Sequence, residues 1–218
     1  MILKLVYKEF VLELRRKAVI SGISLYLVCI IFICYLTFSL RQNSINEATW
    51  SALFWLSILF ANVNAIAKSF IGEKKGMLIY YYSIASPQAI ILSKIIYNVV
   101  LSGLLSLMGY LLFSIFIDDP VQDKWLFLLV LLLSSCGFSA CLSLISAIAS
   151  KTSNSNILMA VLSFPVIISL LLMAIKITKN ALDGLARSES NDELINLLAI
   201  NSIMVALAYL LFPYIWRS

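Results

Sequence analysis

The stretch Trp125–Ser150, WLFLLVLLLSSCGFSACLSLISAIAS, runs for 26 residues without one charged side chain. As an α-helix it would extend about 39 Å at 1.5 Å per residue. That exceeds the roughly 30 Å of hydrocarbon that a bilayer presents. A helix on the surface of a soluble domain keeps a polar back, whereas here only scattered serines interrupt an apolar surface. Lipid is the surrounding in which such a helix needs no polar exterior.

Five more segments of this kind follow on working outward: Val19–Leu40, Thr49–Ala67, Ile90–Ile117, Ile157–Ile177 and Leu194–Trp216. Short polar stretches separate them, including 41–47, Asp118-Asp119-Pro120, 151–156 and 178–193. Across all 218 residues, 62% are hydrophobic, 12% are charged and the mean hydropathy is +1.00. A soluble domain is nearer half apolar and about a quarter charged. The expected fold is an all-α integral membrane protein of six transmembrane helices, forming one permease-sized domain over 1–218. Charges continue to Lys17, the first apolar run is full-length and no small-residue cleavage site follows it, so this run is expected to remain as an anchor.

Basic residues gather on one side of this arrangement. With the N-terminus inside, eleven of the sixteen Lys and Arg face the cytoplasm: Lys4, Lys8, Arg15, Arg16, Lys17, Lys68, Lys74, Lys75, Lys94, Lys151 and Arg217. Arg41, Lys124, Lys176, Lys179 and Arg187 face outward, together with eight of the eleven acids. Six spans with both termini cytoplasmic satisfy this count. Residues 1–18 form a basic amphipathic helix, with Leu3, Val6, Tyr7, Phe10 and Leu14 at helical spacing, suited to the inner headgroup surface. A simple cytoplasmic extension of the first span is the alternative.

Several chemistries are excluded. The chain contains no histidine, which removes His-ligated haem, His-Glu zinc sites and Ser-His-Asp triads. Cys29, Cys34, Cys136 and Cys141 lie inside apolar runs and read as buried thiols. Members of each pair, five residues apart, point about 140° from one another on a helix. No Gly-x4-Gly-Lys-Ser/Thr loop is present, so any ATP used must bind another chain. No ionisable residue lies in mid-span. Lys68, Lys94 and Lys176 sit near span ends, where they are expected to snorkel. Ion-coupled transport usually needs buried charge and is disfavoured. An intramembrane enzyme is disfavoured for want of acid, base and metal ligands.

The most informative connection is 68–89, KSFIGEKKGMLIYYYSIASPQA, followed by Lys94. Gly72 and Gly76 bracket the charged Glu73-Lys74-Lys75, and Ser86-Pro87 ends the segment, since proline disfavours helix in the residue before it. A short surface helix here would offer Phe70, Met77, Tyr80 and Tyr81 to a partner's groove. Alternatively these aromatics anchor at the membrane interface. The residues alone leave both readings open.

The order Trp55…Phe70-x2-Glu73-x2-Gly76…Ser86-Pro87…Lys94 resembles the haem exporter protein B (CcmB) family, the permease subunit of the bacterial cytochrome c maturation ABC transporter. The Arg15-Arg16 start, Pro165 in the fifth span and the chain length agree with it. The turn reads Tyr80-Tyr-Tyr-Ser-Ile-Ala where the family is leucine-rich, and the fifth span has one proline where the family has a Pro-rich stretch. The resemblance implies a type-2 ABC exporter fold in the bacterial inner membrane. It also implies coupling to the ATPase through Phe70, Gly72, Glu73, Gly76, Met77, Tyr80, Tyr81, Ser86, Pro87 and Lys94. Implied partners are a CcmA-like ATPase carrying the ATP, a second copy of the chain, membrane lipid, and CcmC-like, CcmD-like and CcmE-like proteins; nucleic acid is not among them. No cofactor is assigned to this chain, and haem enters as cargo of the complex. ATP hydrolysis would drive either haem export or release of the haem-loaded chaperone. Alternatives are a type-2 exporter permease for a drug, lipid or polysaccharide, and a non-transporting assembly scaffold.

Three further features are expected to be structural. Ser135, Ser139, Ser143 and Ala147 repeat every four residues, with Ser102, Ser106 and Gly109 as a weaker stripe, and read as a helix-packing seam rather than a substrate path. Asn62 and Asn64, about 200° apart on a helix, read as separate hydrogen-bonding residues. Pro165 is expected to kink its span. The outer segment 176–193 reads as a solvated loop, with docking of a periplasmic partner as the alternative.

Overall fold

The computed structural model describes residues 2–15, 17–39, 46–66, 70, 85–117, 119–151 and 155–217. Among them the chain is helical: α1 (Ile2–Arg15), α2 (Lys17–Ser39), α3 (Glu47–Ile66), α4 (Pro87–Phe116), α5 (Lys124–Ala149), α6 (Ser155–Leu182), a 3₁₀ turn (Arg187–Ser190) and α7 (Asn191–Arg217). Among the described residues, five helices are long and apolar enough to cross a membrane, and α2 contributes a shorter apolar stretch, Ser21–Thr37.

Capping chemistry sets two of the helix starts. Ser86 stands in extended conformation (φ −67°, ψ 144°) ahead of Pro87, because the proline ring excludes the helical region for its predecessor. Pro87 then begins α4, where a missing N–H costs nothing. At the head of α5, the Asp123 carboxylate accepts the N–H groups of Trp125 and Leu126, both at 3.1 Å, as an N-cap should.

The long uncharged helix quoted at the outset, α5, is the hub. It packs against α3, α4, α6 and α7. Its serines are buried, and they do form a seam, one that lies within this subunit. Asn98 Nδ2 donates to Ser143 Oγ at 2.7 Å, and the Ser106 and Ser135 hydroxyls meet at 3.1 Å. One contact steps forward along α4 as the other steps back along α5, so the two helices are antiparallel. Small side chains let them approach, and hydroxyls serve as interhelical glue where lipid offers no hydrophobic drive.

At one end of the bundle the core is aromatic. Trp50 stacks on Phe54 with ring centroids 5.3 Å apart, and Phe113 meets both edge-on. Phe127 packs against Phe54 and Tyr110. Trp55 donates its indole N–H to Thr178 Oγ1 at 3.0 Å, both residues being buried.

Two expectations change. The stretch after Ile177 is not a solvated loop at its start: α6 runs on to Leu182 because Ala181 and Leu182 are buried and hold the last turn in the core. Only 183–186 separate it from the 3₁₀ turn. Lys94 does not snorkel; it is 3% exposed and points into the bundle. Helix α6 passes through Pro165 as one element, and α7 likewise contains Pro213. Asn62 and Asn64 each bond a carbonyl of their own helix, Ile58 and Phe60 respectively, so they do serve separate places.

Candidate functional site at the helix α1 end

Of the residues expected to couple to a partner, Phe70, Ser86, Pro87 and Lys94 are described. Gly72, Glu73, Gly76, Met77, Tyr80 and Tyr81 lie outside the described residues. The structure brings Phe70 and Lys94 together and leaves Ser86 exposed at the head of α4.

Phe70 is anchored from three sides. Its backbone N–H donates to Ser146 Oγ on α5 at 3.2 Å. Its ring lies 5.4 Å from that of Phe212 on α7. The Lys94 ammonium sits 4.7 Å from the ring centroid, a cation–π arrangement worth up to about 2 kcal/mol when water is excluded.

Helix α1 closes the site. Glu9 Oε2 lies 3.6 Å from Lys94 Nζ, and Glu9 Oε1 lies 2.7 Å from Lys8 Nζ. One turn along α4, Tyr97 meets Phe10 edge-on at 5.0 Å. Val6 faces inward while Leu3 and Tyr7 are 82% and 72% exposed. The helix is thus amphipathic: one side grips α4, and the other presents an apolar pair beside Lys4. Burying a lysine costs several kcal/mol of lost hydration. Glu9 and the Phe70 ring offset part of that cost, and the whole fixes three chain segments at one point.

Glu9 is the residue the sequence reading missed. It sits four positions from Glu13 amid basic neighbours and looks like one more surface charge. A buried lysine in α4 would have been the only cue to a partner.

At the opposite end, polar residues tie loops together. Arg187 donates Nε to Asp123 Oδ2 at 2.6 Å and Nη2 to Oδ1 at 2.9 Å, a bidentate pair. The Arg187 guanidinium, with the N–H groups of Leu126 and Trp125 assisting, holds the Asp123 carboxyl below the usual carboxylate range. Asp119 accepts from Tyr110 Oη and pairs with Lys124 at 3.1 Å. Lys176 pairs with Glu193. Gln122 and Asp123 donate their N–H groups to the Ala181 carbonyl. Gly184 turns the chain at φ +63°, where a side chain would be strained. The pairing of Asp123 with Arg187 was not legible in the sequence.

Among the described residues no group of three Cys, Asp or Glu could hold a metal ion. Among the described residues, the groups gathered at the α1 end are the Lys8 and Lys94 ammonium groups, the Glu9 carboxylate and a hydroxyl engaged in packing. They can hold a segment in place.

These features define a multi-helix membrane protein whose clustered polar groups position chain segments. The chain belongs to the CcmB family, described as CcmB protein, which it matches over residues 1–214. Members are the membrane permease subunit of the haem-export ABC transporter in cytochrome c biogenesis, part of a system with an ATPase and other Ccm components. No curated protein matches the chain.

Proposed function

We propose that this chain is a non-catalytic permease subunit that crosses the bacterial inner membrane six times, with α2 as the first span and both termini cytoplasmic. Two copies pair in a type-2 exporter arrangement, and a separate CcmA-like subunit hydrolyses ATP. The connection 68–89 couples the two, and CcmC-like, CcmD-like and CcmE-like proteins complete the assembly. The observation that carries this reading is the family match over almost the whole chain, 1–214. The lysine distribution supports the orientation, since eleven of sixteen basic residues fall on the side of α1 and the 68–89 connection.

Of the two outputs, release of a haem-loaded chaperone is the better supported. The chain offers no histidine as an axial ligand, and the bundle interior around Trp50, Phe54, Phe113 and Phe127 is filled with side chains. ATP hydrolysis would then move the assembly without haem passing through the core of this subunit.

The test is a pair of substitutions in the connection, Glu73→Lys and Gly76→Trp. Each is expected to leave the protein in the membrane and to abolish ATP-dependent cytochrome c maturation. Normal maturation in both strains would rule out coupling through this segment.

A further inference from the structure

Lys94 is the one lysine of the 68–94 region whose surroundings are described, and it faces the interior rather than a partner. Among the described residues its contacts join two segments far apart in sequence: Glu9 on α1 at 3.6 Å and the Phe70 ring at 4.7 Å. Phe70 is itself pinned to Ser146 and Phe212. Each partner constrains the ammonium differently. The carboxylate pulls it toward α1 by charge, and the ring takes it only over its face. Position along α4 is fixed by the helix, so Lys94 ties the Phe70 ring to Glu9 of α1.

We propose that Glu9 and Lys94 are positioning residues for the connection that begins at Phe70, and that α1 acts through them as a lever on that connection. A neutral, apolar residue at 94 could fill the same space at lower desolvation cost. What it could not do is link the position of α1 to the position of Phe70. The inference deepens the reading of 68–89 as the coupling element and rests on it for its functional consequence. The physical linkage stands on the contacts alone.

Two readouts separate the linkage from its consequence. The first is limited trypsin digestion of the full chain in nanodiscs, where both faces meet the protease. Cleavage after Lys74 and Lys75 reports release of the Phe70 anchor, and cleavage after Lys151, in another connection, serves as the internal reference. Lys94→Met and Glu9→Gln are each expected to speed cleavage at the first site about tenfold, the effect of losing about 1.4 kcal/mol of anchoring. Cleavage after Lys151 should not change. Lys94→Arg, and the exchange Glu9→Lys with Lys94→Glu, should restore much of the protection. Unchanged ratios in both single variants would overturn the proposal, and so would a parallel rise at Lys151. If Lys94→Met fails to reach the membrane, Glu9→Gln reads the same contact from its less buried half.

The second readout is maturation per ATPase recovered with the tagged chain. Glu9→Gln should retain the ATPase and lose maturation, a split that loss of folding would not produce. Equal loss of both would assign Glu9 to stability alone. Should the unaltered chain recover no ATPase, the proposed function fails while the digestion still decides the linkage.

Discussion

Gly137 on α5 faces Leu170 of α6 and Asn201 of α7. A Cβ built there would collide with Asn201 Oδ1 and lie 2.8 Å from Leu170 Cδ2 and 3.1 Å from Leu170 Cδ1. Ordinary carbon contacts begin at about 3.5 Å, so a methyl group must displace both neighbours. Leu170 is fully buried, which leaves it little room. Asn201 can yield only by loosening the 2.8 Å bond that its Nδ2 donates to the Leu133 carbonyl. Overpacking of this kind costs about 1–3 kcal/mol, and an interhelical hydrogen bond in a membrane protein is worth about 0.6–1.7 kcal/mol. Alanine gains about 1 kcal/mol of helix propensity at either glycine, so Gly137→Ala should be less stable than Gly103→Ala by about 2–4 kcal/mol. At roughly 2–4 °C per kcal/mol for a chain of this size, the fall in melting temperature is about 4–16 °C. Gly103→Ala supplies the control, since its nearest contact is a leucine methyl at 3.9 Å. The assay is fluorescence-detected thermal unfolding of the full chain in mild detergent. Gly137→Ala melting within about 2 °C of Gly103→Ala would refute the close approach of α7 to α5.

Replacing Trp55 with Phe removes the indole N–H that Thr178 accepts and strands a fully buried hydroxyl. The cost should be about 1–3 kcal/mol, and Thr178→Val in the same background should recover part of it; the same melting assay reads both. Asp123 tests the opposite end. A carboxyl held below its ordinary range contributes stability above the unfolded pKa, near 3.9, and loses it as pH falls through the native value. The gap in melting temperature between the unaltered chain and Asp123→Asn should thus be constant from about pH 5 to 8 and close below about pH 4. A gap that persists in acid would remove the Arg187 pair as its origin. In the α4–α5 seam, Asn98→Leu should cost about 1 kcal/mol by removing the bond to Ser143, and an unchanged melting temperature would contradict the antiparallel register.

Hydropathy made the membrane class and the helix positions legible, because a bilayer demands long apolar runs whatever else the protein does. The helix ends moved by one to three residues except after Ile177. There Thr178-Lys-Asn read as polar loop, and burial of Ala181 and Leu182 extended the helix instead. Facing was not legible. Helix α4 is apolar on all sides, so nothing in its periodicity says that Lys94 turns inward. The spacing of the α5 serines was visible, but their partners on α4 depend on an antiparallel register that one helix cannot specify. Gly137 looked like any glycine until Asn201 was seen against it. The 68–89 motif was readable as a family signature, and of its residues only Phe70, Ser86, Pro87 and Lys94 fall among those described.

The proposed function requires an ATPase on a separate subunit. The direct measurement is recovery of the tagged full chain from its native membrane in mild detergent, with mass spectrometry of what accompanies it. A small ABC ATPase together with haem-handling maturation proteins is the expected result. An ATPase without those proteins would contradict the maturation role, and no ATPase at all would contradict the coupling account itself.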